Sequence, residues 1–445
     1  MAAPAPAIWM LLLAAARIDL RAPSEVVARL EMSSPGANWG QRDREAAVAD
    51  VALDGRVVAQ VMLYAGSERH RYDVFLGRLG EGSHEVRVER NGRYSAPGAG
   101  LELRSVNLEA GVSGCLAHAP VLYARPDSVG RFTDTPLLMY CERFGDRLEY
   151  TAIFSNEDGG TSTRALMARW GRTTDIEYVY RVWLGEGGRP ARAAIQAKGH
   201  NEVEFRGRRE AFHPLLMAAT DNNMVSDEGE SPLRFQPAPV EVDLSNGARE
   251  LVMDRSPWTY RVMAEELARE AKLRPYGAVD GQKIGDPRNY VFLEAKIANR
   301  DSRLAARVRL EGERRWRSSH LGHSGYAIER DGWIRTTVEL PPGTTPARVA
   351  EIGFECLGEP AAKDKPAPVS GSCRLEAVSR VFFLDESYRP GPSFWSLGSP
   401  EAPTGARIPP AGGSMAGRSN QSTVKPSLTG ETIPTGEFVA FRVAR

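Results

Sequence analysis

The 445-residue sequence has no surplus of charge of either sign, and this absence bears on the class of partner. Lys and Arg together number 57 and Asp and Glu together also number 57, so the formal net charge at pH 7 is zero. A protein that binds nucleic acid normally carries excess cations, because each phosphate contact needs one. The balance therefore predicts no nucleic-acid partner.

Long apolar runs and the short motifs of several enzyme classes are missing as well. Beyond the N-terminal region no stretch is long and apolar enough to span a membrane, so no transmembrane span is expected. The sequence contains no Gly-x-Ser-x-Gly elbow, no His-Glu-x-x-His zinc motif and no Gly-Lys-Ser/Thr phosphate loop. Enzymes built on these three motifs are therefore not indicated.

Cysteine is scarce, and its spacing excludes a zinc site of the Cys-x-x-Cys kind. The four cysteines fall into two local pairs, Cys115 with Cys141 and Cys356 with Cys373. A disulfide that closes a loop of such a size stabilises a protein by about 3 kcal/mol. Four cysteines allow three connectivities, and four buried free thiols are the alternative. Disulfides would agree with an oxidising compartment.

The N-terminus indicates export. Residues 7–16 read AIWMLLLAAA, which has the length of the apolar region of a signal peptide and is too short to span a bilayer. No Lys or Arg precedes this run, so a misassigned start codon or a buried first helix would explain the same residues. We expect residues 1–21 to be a signal peptide or leader and the protein to be secreted, periplasmic or on the cell surface.

The rest of the chain predicts a mainly β protein of several β-sandwich domains with one marked helix. Residues 22–112 read as short strands with a hairpin turn at Asp54-Gly55, and they predict a small immunoglobulin-like β-sandwich. Residues 113–280 predict a central β-rich domain that contains a helix at 257–272. Ser256 would cap this helix and Pro257 suits its first turn.

The C-terminal part returns to strands and then loses its apolar residues. Residues 285–388 predict a jelly-roll-like β-sandwich, and residues 389–445 form a Pro/Gly-rich tail that is expected to be disordered or draped over the surface. Within this tail residues 437–443 are strand-like, and we expect them to dock on a sheet edge.

The third region resembles a known family. It contains GWIRTTVELP, VAEIGFECLG and CRLEAVSRVFFLD, and this succession of strands resembles the galactose-binding-like jelly rolls common among carbohydrate-binding modules. The resemblance implies a sandwich with a ligand-facing or calcium-bearing edge.

The central region resembles a second family. It contains, in order, HAPVLYARPD (118–127), EYTAIFSNEDGG (149–160), GRTTDIEYVYRV (171–182) and HPLLMAATDNN (213–223). This order resembles the vacuolar-protein-sorting-sixty-two-like family, whose members carry an Asp-Trp-Glu tripeptide on one strand and a His-Pro-led strand further on. It is more distantly similar to the necrosis- and ethylene-inducing proteins, whose Gly-His-Arg-His-Asp-Trp-Glu motif binds a divalent cation. Asp175 and Glu177 match the acidic pair, whereas Ile176 replaces the tryptophan and Arg172 stands at the histidine.

The acidic pair is a candidate cation site on physical grounds too. Residues two apart on a strand project to one face, so the carboxylates of Asp175 and Glu177 are expected to lie close together. A bound Ca²⁺ or Mg²⁺ would offset their repulsion, and Asp158 in a Gly-rich loop is a candidate further ligand. The alternative is a solvent-facing pair with Arg172 or Arg181 as its counter-charge.

His213 and Asp221 are the candidates for general acid–base catalysis. A histidine transfers protons near neutral pH, and a carboxylate can orient it. The alternatives are that His213 starts a strand and is held by a backbone bond, and that Asp221 belongs to a turn. A carboxylate pair for glycoside hydrolysis could also be drawn from Asp175, Glu177 and Asp221.

Three functional hypotheses follow from these observations. The leading one is a secreted protein directed at polysaccharide or cell-surface glycan, with a cation-dependent hydrolase activity and accessory binding modules. The first alternative is a non-catalytic surface adhesion or binding protein. The second alternative, from the distant resemblance, is a membrane-active cytolysin-like protein.

Overall fold

The computed structural model describes residues 15–111, 114–157, 159–278, 281–358, 371–395, 406–407 and 430–443. Strands make up 48% and helices 12%, so the prediction of a mainly β protein with several sandwiches is confirmed. The chain forms two compact units, which are described separately. Unit 1 comprises residues 1–160 and 174–243, and unit 2 comprises residues 161–173 and 244–445. None of the helices within the described residues is long and apolar enough to cross a membrane.

The strands of unit 1 are β1 (Ala15–Leu20), β2 (Ser24–Ser33), β3 (Val48–Leu53), β4 (Arg56–Met62), β5 (His70–Leu79), β6 (Gly82–Arg90), β7 (Glu102–Ala110), β8 (Val121–Tyr123), β9 (Pro136–Phe144), β10 (Arg147–Phe154), β11 (Asp175–Leu184), β12 (Pro190–Ala197), β13 (Asn201–Glu204), β14 (Arg209–Glu210), β15 (His213–Ala218), β16 (Val225–Ser226), β17 (Arg234–Phe235) and β18 (Val240–Glu241).

The first strands of unit 1 form two sheets, in the orders β1-β6-β3-β4 and β5-β2-β7. Strand β1 lies inside the predicted leader, yet it pairs antiparallel with β6 along its whole length. An ion pair of 2.8 Å between Arg17 and Glu85 accompanies this pairing. Residues 15–20 therefore belong to the fold, while residues 1–14 of the predicted leader lie outside the described residues.

The hairpin predicted at Asp54-Gly55 is confirmed. Strands β3 and β4 pair antiparallel up to Leu53 and Arg56, which leaves a two-residue loop. Asp54 and Gly55 have φ values of 49° and 81°. Two positive φ values in a two-residue loop match the right-handed twist of the strands, and Asp-Gly adopts them readily.

The remaining strands of unit 1 form a six-stranded sheet, β13-β12-β11-β10-β9-β18, and a sheet in the order β14-β15-β8-β17 with β16 beside β15. Strand β11 has neighbours on both edges, as its apolar residues on both faces predict. The disulfide between Cys115 and Cys141 ties the loop before β8 to β9, with a Cα–Cα distance of 6.2 Å. Of the three connectivities that the sequence left open, this disulfide belongs to the one that joins the local pairs.

The elements of unit 2 are α1 (Thr163–Trp170), α2 (Leu251–Arg255), α3 (Trp258–Arg269), β19 (Tyr290–Arg300), β20 (Ser302–Leu310), β21 (Trp316–Ser318), β22 (Gly332–Glu339), β23 (Val349–Gly358), β24 (Ser372–Phe383), β25 (Ala406–Arg407), β26 (Glu431–Pro434) and β27 (Phe438–Arg442).

Two sheets, β22-β19-β24-β26 and β21-β20-β23-β27-β25, enclose the core of unit 2. Buried aliphatic and aromatic residues of both sheets form one cluster, so this part is a β-sandwich. The disulfide between Cys356 of β23 and Cys373 of β24 joins the two sheets. The strand-like end of the tail adds β27 beside β23, as expected, and β26 beside β24.

The predicted helix is present as α3, but it belongs to unit 2 rather than to a central domain. Ser256 is the C-terminal cap of α2, and Pro257 caps α3. Helix α1, which the sequence analysis did not predict, also belongs to unit 2. The division therefore differs from the expected boundary at residue 280, because these helices pack on the strands of unit 2.

The end of α1 is fixed to strand β22 by two side chains. The hydroxyl of Thr336 donates to the carbonyl of Ala168 over 2.6 Å, and that of Thr337 donates to the carbonyl of Met167 over 2.7 Å. The last carbonyls of a helix have no partner within the helix. Thr336 supplies the donor for Ala168, while the carbonyl of Met167 accepts the backbone N–H of Gly171 as well as the hydroxyl of Thr337. Both threonines thus join residues far apart in the chain.

Strand β22 also carries an arginine whose side chain is completely buried. The guanidinium of Arg335 donates to both carboxylate oxygens of Asp254, over 2.8 and 2.7 Å, and to Glu294 over 2.6 Å. It also donates to the hydroxyl of Tyr260 over 2.8 Å. Burial opposes the charge, but Asp254, Tyr260 and Glu294 hold the pKa of Arg335 well above its usual value.

We expect Arg335→Met to destabilise unit 2 by about 3–5 kcal/mol, because it leaves the carboxylate of Glu294 buried without its cation. Urea unfolding monitored by circular dichroism would measure this loss. Arg315→Met, at an exposed position of the same unit, is the matched control and should change the free energy of unfolding by less than about 0.5 kcal/mol. Equal losses in both variants would show that the buried ion pairs do not stabilise the unit.

Candidate functional site

Asp175 of the predicted cation pair lies in the interior of unit 1. Its exposed fraction is 2%, and its carboxylate accepts a hydrogen bond of 3.0 Å from the amide of Asn223. The same amide nitrogen lies 3.2 Å from the carbonyl of Asn156 and 3.4 Å from Asp134. The amide of Asn223 therefore joins the start of β11 to two preceding segments, which excludes the solvent-facing alternative for Asp175.

Glu177 lies in different surroundings. Its carboxylate accepts a hydrogen bond of 2.8 Å from Gln196 of the neighbouring strand β12 and lies 3.9 Å from His200. Within the described residues no group of three or more His, Cys, Asp or Glu is arranged to hold a metal ion. Asp158, the third predicted ligand, lies outside the described residues. The Ca²⁺ or Mg²⁺ site stays a prediction.

Asp221 belongs to a turn and is mostly exposed. Its carboxylate lies 3.2 Å from the buried guanidinium of Arg125, which also pairs with Asp134 at 3.0 Å and with Asp127 at 2.6 Å. The turn closes through the backbone bond from Asn223 to Thr220. The turn alternative therefore describes the position of Asp221.

His213 is buried at the start of β15, and both of its ring nitrogens are engaged. Nδ1 lies 2.9 Å from the carbonyl oxygen of Ala119, and Nε2 lies 3.0 Å from the carboxylate of Glu25. The ring stacks on Phe75 with its centroid 4.8 Å away. No hydrogen bond joins His213 to Asp221 among the described side chains. Catalysis by this pair stays a prediction.

A cavity of about 360 Å³ lies against His213 in unit 1. Leu53, Val58, Phe75 and Leu76 form apolar parts of its wall. Its polar wall consists of side chains from five separate segments: Arg56, Arg78, Glu210, His213, Arg234 and Gln236. Of the sequence-predicted site residues, only His213 lines this cavity.

One polar pair in the cavity is held rigidly. The guanidinium of Arg234 donates to both carboxylate oxygens of Glu210, one of them over 2.9 Å, and to the side-chain oxygen of Gln236 over 2.8 Å. The amide of Gln236 in turn donates to the carbonyl of Phe75 over 2.6 Å. The hydrogen bonds from Arg234 lower the pKa of Glu210, although burial opposes this effect. Glu210 therefore stays ionised at neutral pH.

The other two arginines of the wall are exposed and differently placed. Arg56 follows the Asp54-Gly55 turn, and Arg78 follows a bulge in β5. Within the described part of the chain, neither Arg56 nor Arg78 has a carboxylate within ion-pair distance. These arginines lie on separate strands, so the sequence does not show that they share a cavity, although the hairpin turn does place Arg56 at the start of β4.

A second groove of about 410 Å³ lies on the β5-β2-β7 sheet. Every residue that lines it is polar or charged, and its cations have partners. Arg29 pairs with Glu109 at 2.5 Å and Arg71 pairs with Asp73 at 3.0 Å. No Leu, Val or Phe lines this groove, whereas such side chains form part of the wall beside His213, so the cavity beside His213 is the better candidate site.

Comparisons with known proteins leave the two sequence resemblances as predictions. No protein-family model matches the chain, and no curated protein does. Among solved structures, the C-terminal domain of EclA, a sugar-binding protein, is 14% identical and matches 24% of this chain and 89% of its own. The TM-score is 0.16, so the likeness does not extend to a shared overall fold.

The pH dependence of stability should report on His118, which lies buried in unit 1 and stacks on Phe212. Burial lowers the pKa of His118 from 6.5 to about 4, and the nearby His213 lowers it further, while a backbone hydrogen bond to Gly188 opposes the shift. Between these values the unfolded chain binds a proton that the folded chain does not. The contribution of His118 to the free energy of unfolding is therefore fully present above pH 6.5 and is lost as the pH drops toward 4.

We expect the wild type to lose about 2 kcal/mol more than His118→Phe between pH 7 and pH 5, because the variant keeps the stacked ring and has no proton to bind. Urea titrations of both proteins at the two pH values measure this difference. Equal losses would mean that His118 does not titrate below its usual range.

Proposed function

We propose that the protein is a non-catalytic binding protein of an oxidising, extracytoplasmic compartment and that it holds a short glycan in the His213 cavity. The cavity itself carries this proposal. Its volume of about 360 Å³ lies at the lower end of the roughly 300–1,000 Å³ found for small-molecule sites. Such a volume suits a ligand of one or two rings and excludes a folded protein partner.

The chemistry of the wall supports a sugar as the ligand. A sugar ring has apolar C–H faces, which would contact Val58, Phe75 and Leu76. Its hydroxyl groups both donate and accept hydrogen bonds. Glu210 supplies acceptor oxygens and Arg234 supplies donors, and their mutual hydrogen bonds fix the positions of both groups. A polar wall that is already fixed loses little side-chain entropy on binding.

Binding is favoured over hydrolysis by the number of available acid–base groups. Glycoside hydrolases use two carboxyl groups, one of which is protonated as the general acid. Glu210 is the single carboxylate among the described residues that line the cavity, and Arg234 keeps it ionised. Both nitrogens of His213 are already engaged. The wall therefore lacks a free proton donor for a leaving group.

The compartment is supported by both disulfides. Each of the four cysteines is paired, and disulfides persist in oxidising surroundings such as the periplasm or the extracellular medium. The apolar run 7–16 is consistent with export by a signal peptide. Secretion is therefore part of the proposal.

We expect Leu53→Trp to abolish glycan binding, since the larger ring would enter the cavity from its wall. Isothermal titration calorimetry with a ligand selected on an array of purified glycans would measure the loss. Val57→Trp is the matched control, because Val57 is 47% exposed, lies on the same hairpin and does not line the cavity.

Retention of full affinity by a folded Leu53→Trp protein would place the glycan elsewhere. Binding of no glycan at all by the folded wild type would overturn the proposed function. Circular dichroism and thermal unfolding of each variant establish that it is folded.

A further inference from the structure

We propose that the glycan held in this cavity carries an acidic group, a carboxylate or a sulfate, and that Arg56 and Arg78 bind it. This inference rests on the proposed function and specifies the class of glycan. It follows from the charges of the side chains around the cavity.

The His213–Glu25 pair adds no net charge to the cavity. A carbonyl oxygen can only accept a hydrogen bond, so Nδ1 of His213 must carry the hydrogen that it donates to Ala119. The 3.0 Å contact between Nε2 and Glu25 then needs one further proton. Whether this proton resides on the imidazole or on the carboxyl group, the pair has zero total charge.

The ion pair between Arg234 and Glu210 also has zero total charge. The two hydrogen bonds between them match the fork of the guanidinium to the two carboxylate oxygens. The charge of Arg234 is therefore already compensated within the wall. Gln236, which is bonded to both Arg234 and the backbone, is uncharged.

Arg56 and Arg78 remain as two positive charges on one cavity. Asp54, two residues before Arg56, and Glu25, across the sheet from Arg78, have other partners. Arg56 also lowers the pKa of Glu210, but that carboxylate is bonded to Arg234. The carboxylate of Asp54 accepts hydrogen bonds from His84 at 2.8 Å and from the backbone of Glu85 at 2.8 Å. Glu25, the cross-strand neighbour of Arg78, is bonded to His213. Among the described residues nothing else compensates the two arginines at ion-pair distance.

A bulge in β5 determines on which face Arg78 lies. Val27 pairs with Phe75 and Val26 pairs with Gly77, so Leu76 is an extra residue in the strand. Gly77 has a φ of 84°, which favours glycine. Without the extra residue, alternation along the strand would turn Arg78 to the opposite face. The bulge places it on the same face as Glu25, whose carboxylate holds the cavity residue His213.

An acidic sugar is the ligand that fits two uncompensated arginines beside a small, partly apolar wall. Guanidinium groups bind carboxylates and sulfates through paired, charge-assisted hydrogen bonds. A nucleic acid would need a long cationic surface, and the net charge of the chain is zero. The acidic group would lie at the two arginines, and the sugar ring would lie against Phe75, Glu210 and Arg234.

The test compares three disaccharides that differ in one group: a neutral one, its uronic acid and its sulfate ester. Calorimetric titration at low and at physiological salt would measure each affinity. We expect at least one acidic form to bind about tenfold more tightly than the neutral form, since a charge-assisted hydrogen bond is worth roughly this factor. The two acidic forms separate a carboxylate ligand from a sulfate ligand. Raising the salt concentration should reduce the difference.

Arg56→Gln/Arg78→Gln should remove the preference for the acidic form and leave the affinity for the neutral form within about twofold, because glutamine keeps a hydrogen-bonding group without the charge. Arg21→Gln/Arg42→Gln is the matched control. It removes the same charge from two exposed arginines of unit 1 outside the cavity wall, and it should bind like the wild type.

Equal affinities of the folded wild type for the neutral and acidic disaccharides would overturn the acidic-group inference and leave glycan binding intact. A preference that survives in Arg56→Gln/Arg78→Gln would assign the acidic group to other residues and would also overturn it. If none of the three disaccharides competes with the glycan selected on the array, the inference fails, and binding of that glycan decides the proposed function independently.

Discussion

The guanidinium of Arg335 has none of its surface exposed, and unit 2 is arranged around the compensation of its charge. Strand β22 supplies the cation, β19 supplies Glu294, and α2 supplies Asp254. Tyr260 of α3 donates its hydroxyl hydrogen to Asp254 and accepts a hydrogen bond from Arg335. Removing a charge from water costs several kcal/mol, so each partner has to be present for the others to stay buried. This requirement fixes both helices to the sheet with directional contacts.

Elements defined by contacts close in sequence were predictable. Two-residue turns depend on the backbone preferences of Asp and Gly, and the sequence identified the hairpin between β3 and β4 correctly. The sequence indicated two local cysteine pairs but left three connectivities open, and the structure shows the local one. Helix α3 was predicted at 257–272, although Ser256, its expected cap, ends α2 instead. The short helix α1 was missed, although Ser162 caps it and Gly171 ends it, and its contacts with the threonines of β22 join segments far apart in the chain.

The site was much less predictable than the fold. Asp175 and Glu177 both lie on β11, as the strand-like sequence predicts. Their partners, however, come from other segments of the chain. Asn223 turns Asp175 into part of a buried network, and Gln196 binds Glu177. The residues of the cavity wall likewise come from distant segments of the chain. Its wall depends on the bulge at Gly77 and on pairings between distant strands, and neither property can be read from single residues.

Unit 2 is built from two separate stretches of the chain, and this arrangement affects when it can fold during synthesis. Helix α1 is made before the last strands of unit 1, yet the threonines that hold its end are made much later. Strands β26 and β27 come later still, and they cover β24 and β23 in the two sheets. A nascent chain therefore cannot complete unit 2 until β27 has been made. Such a delay keeps strand edges open and gives chaperones a longer period in which to hold the unfolded chain.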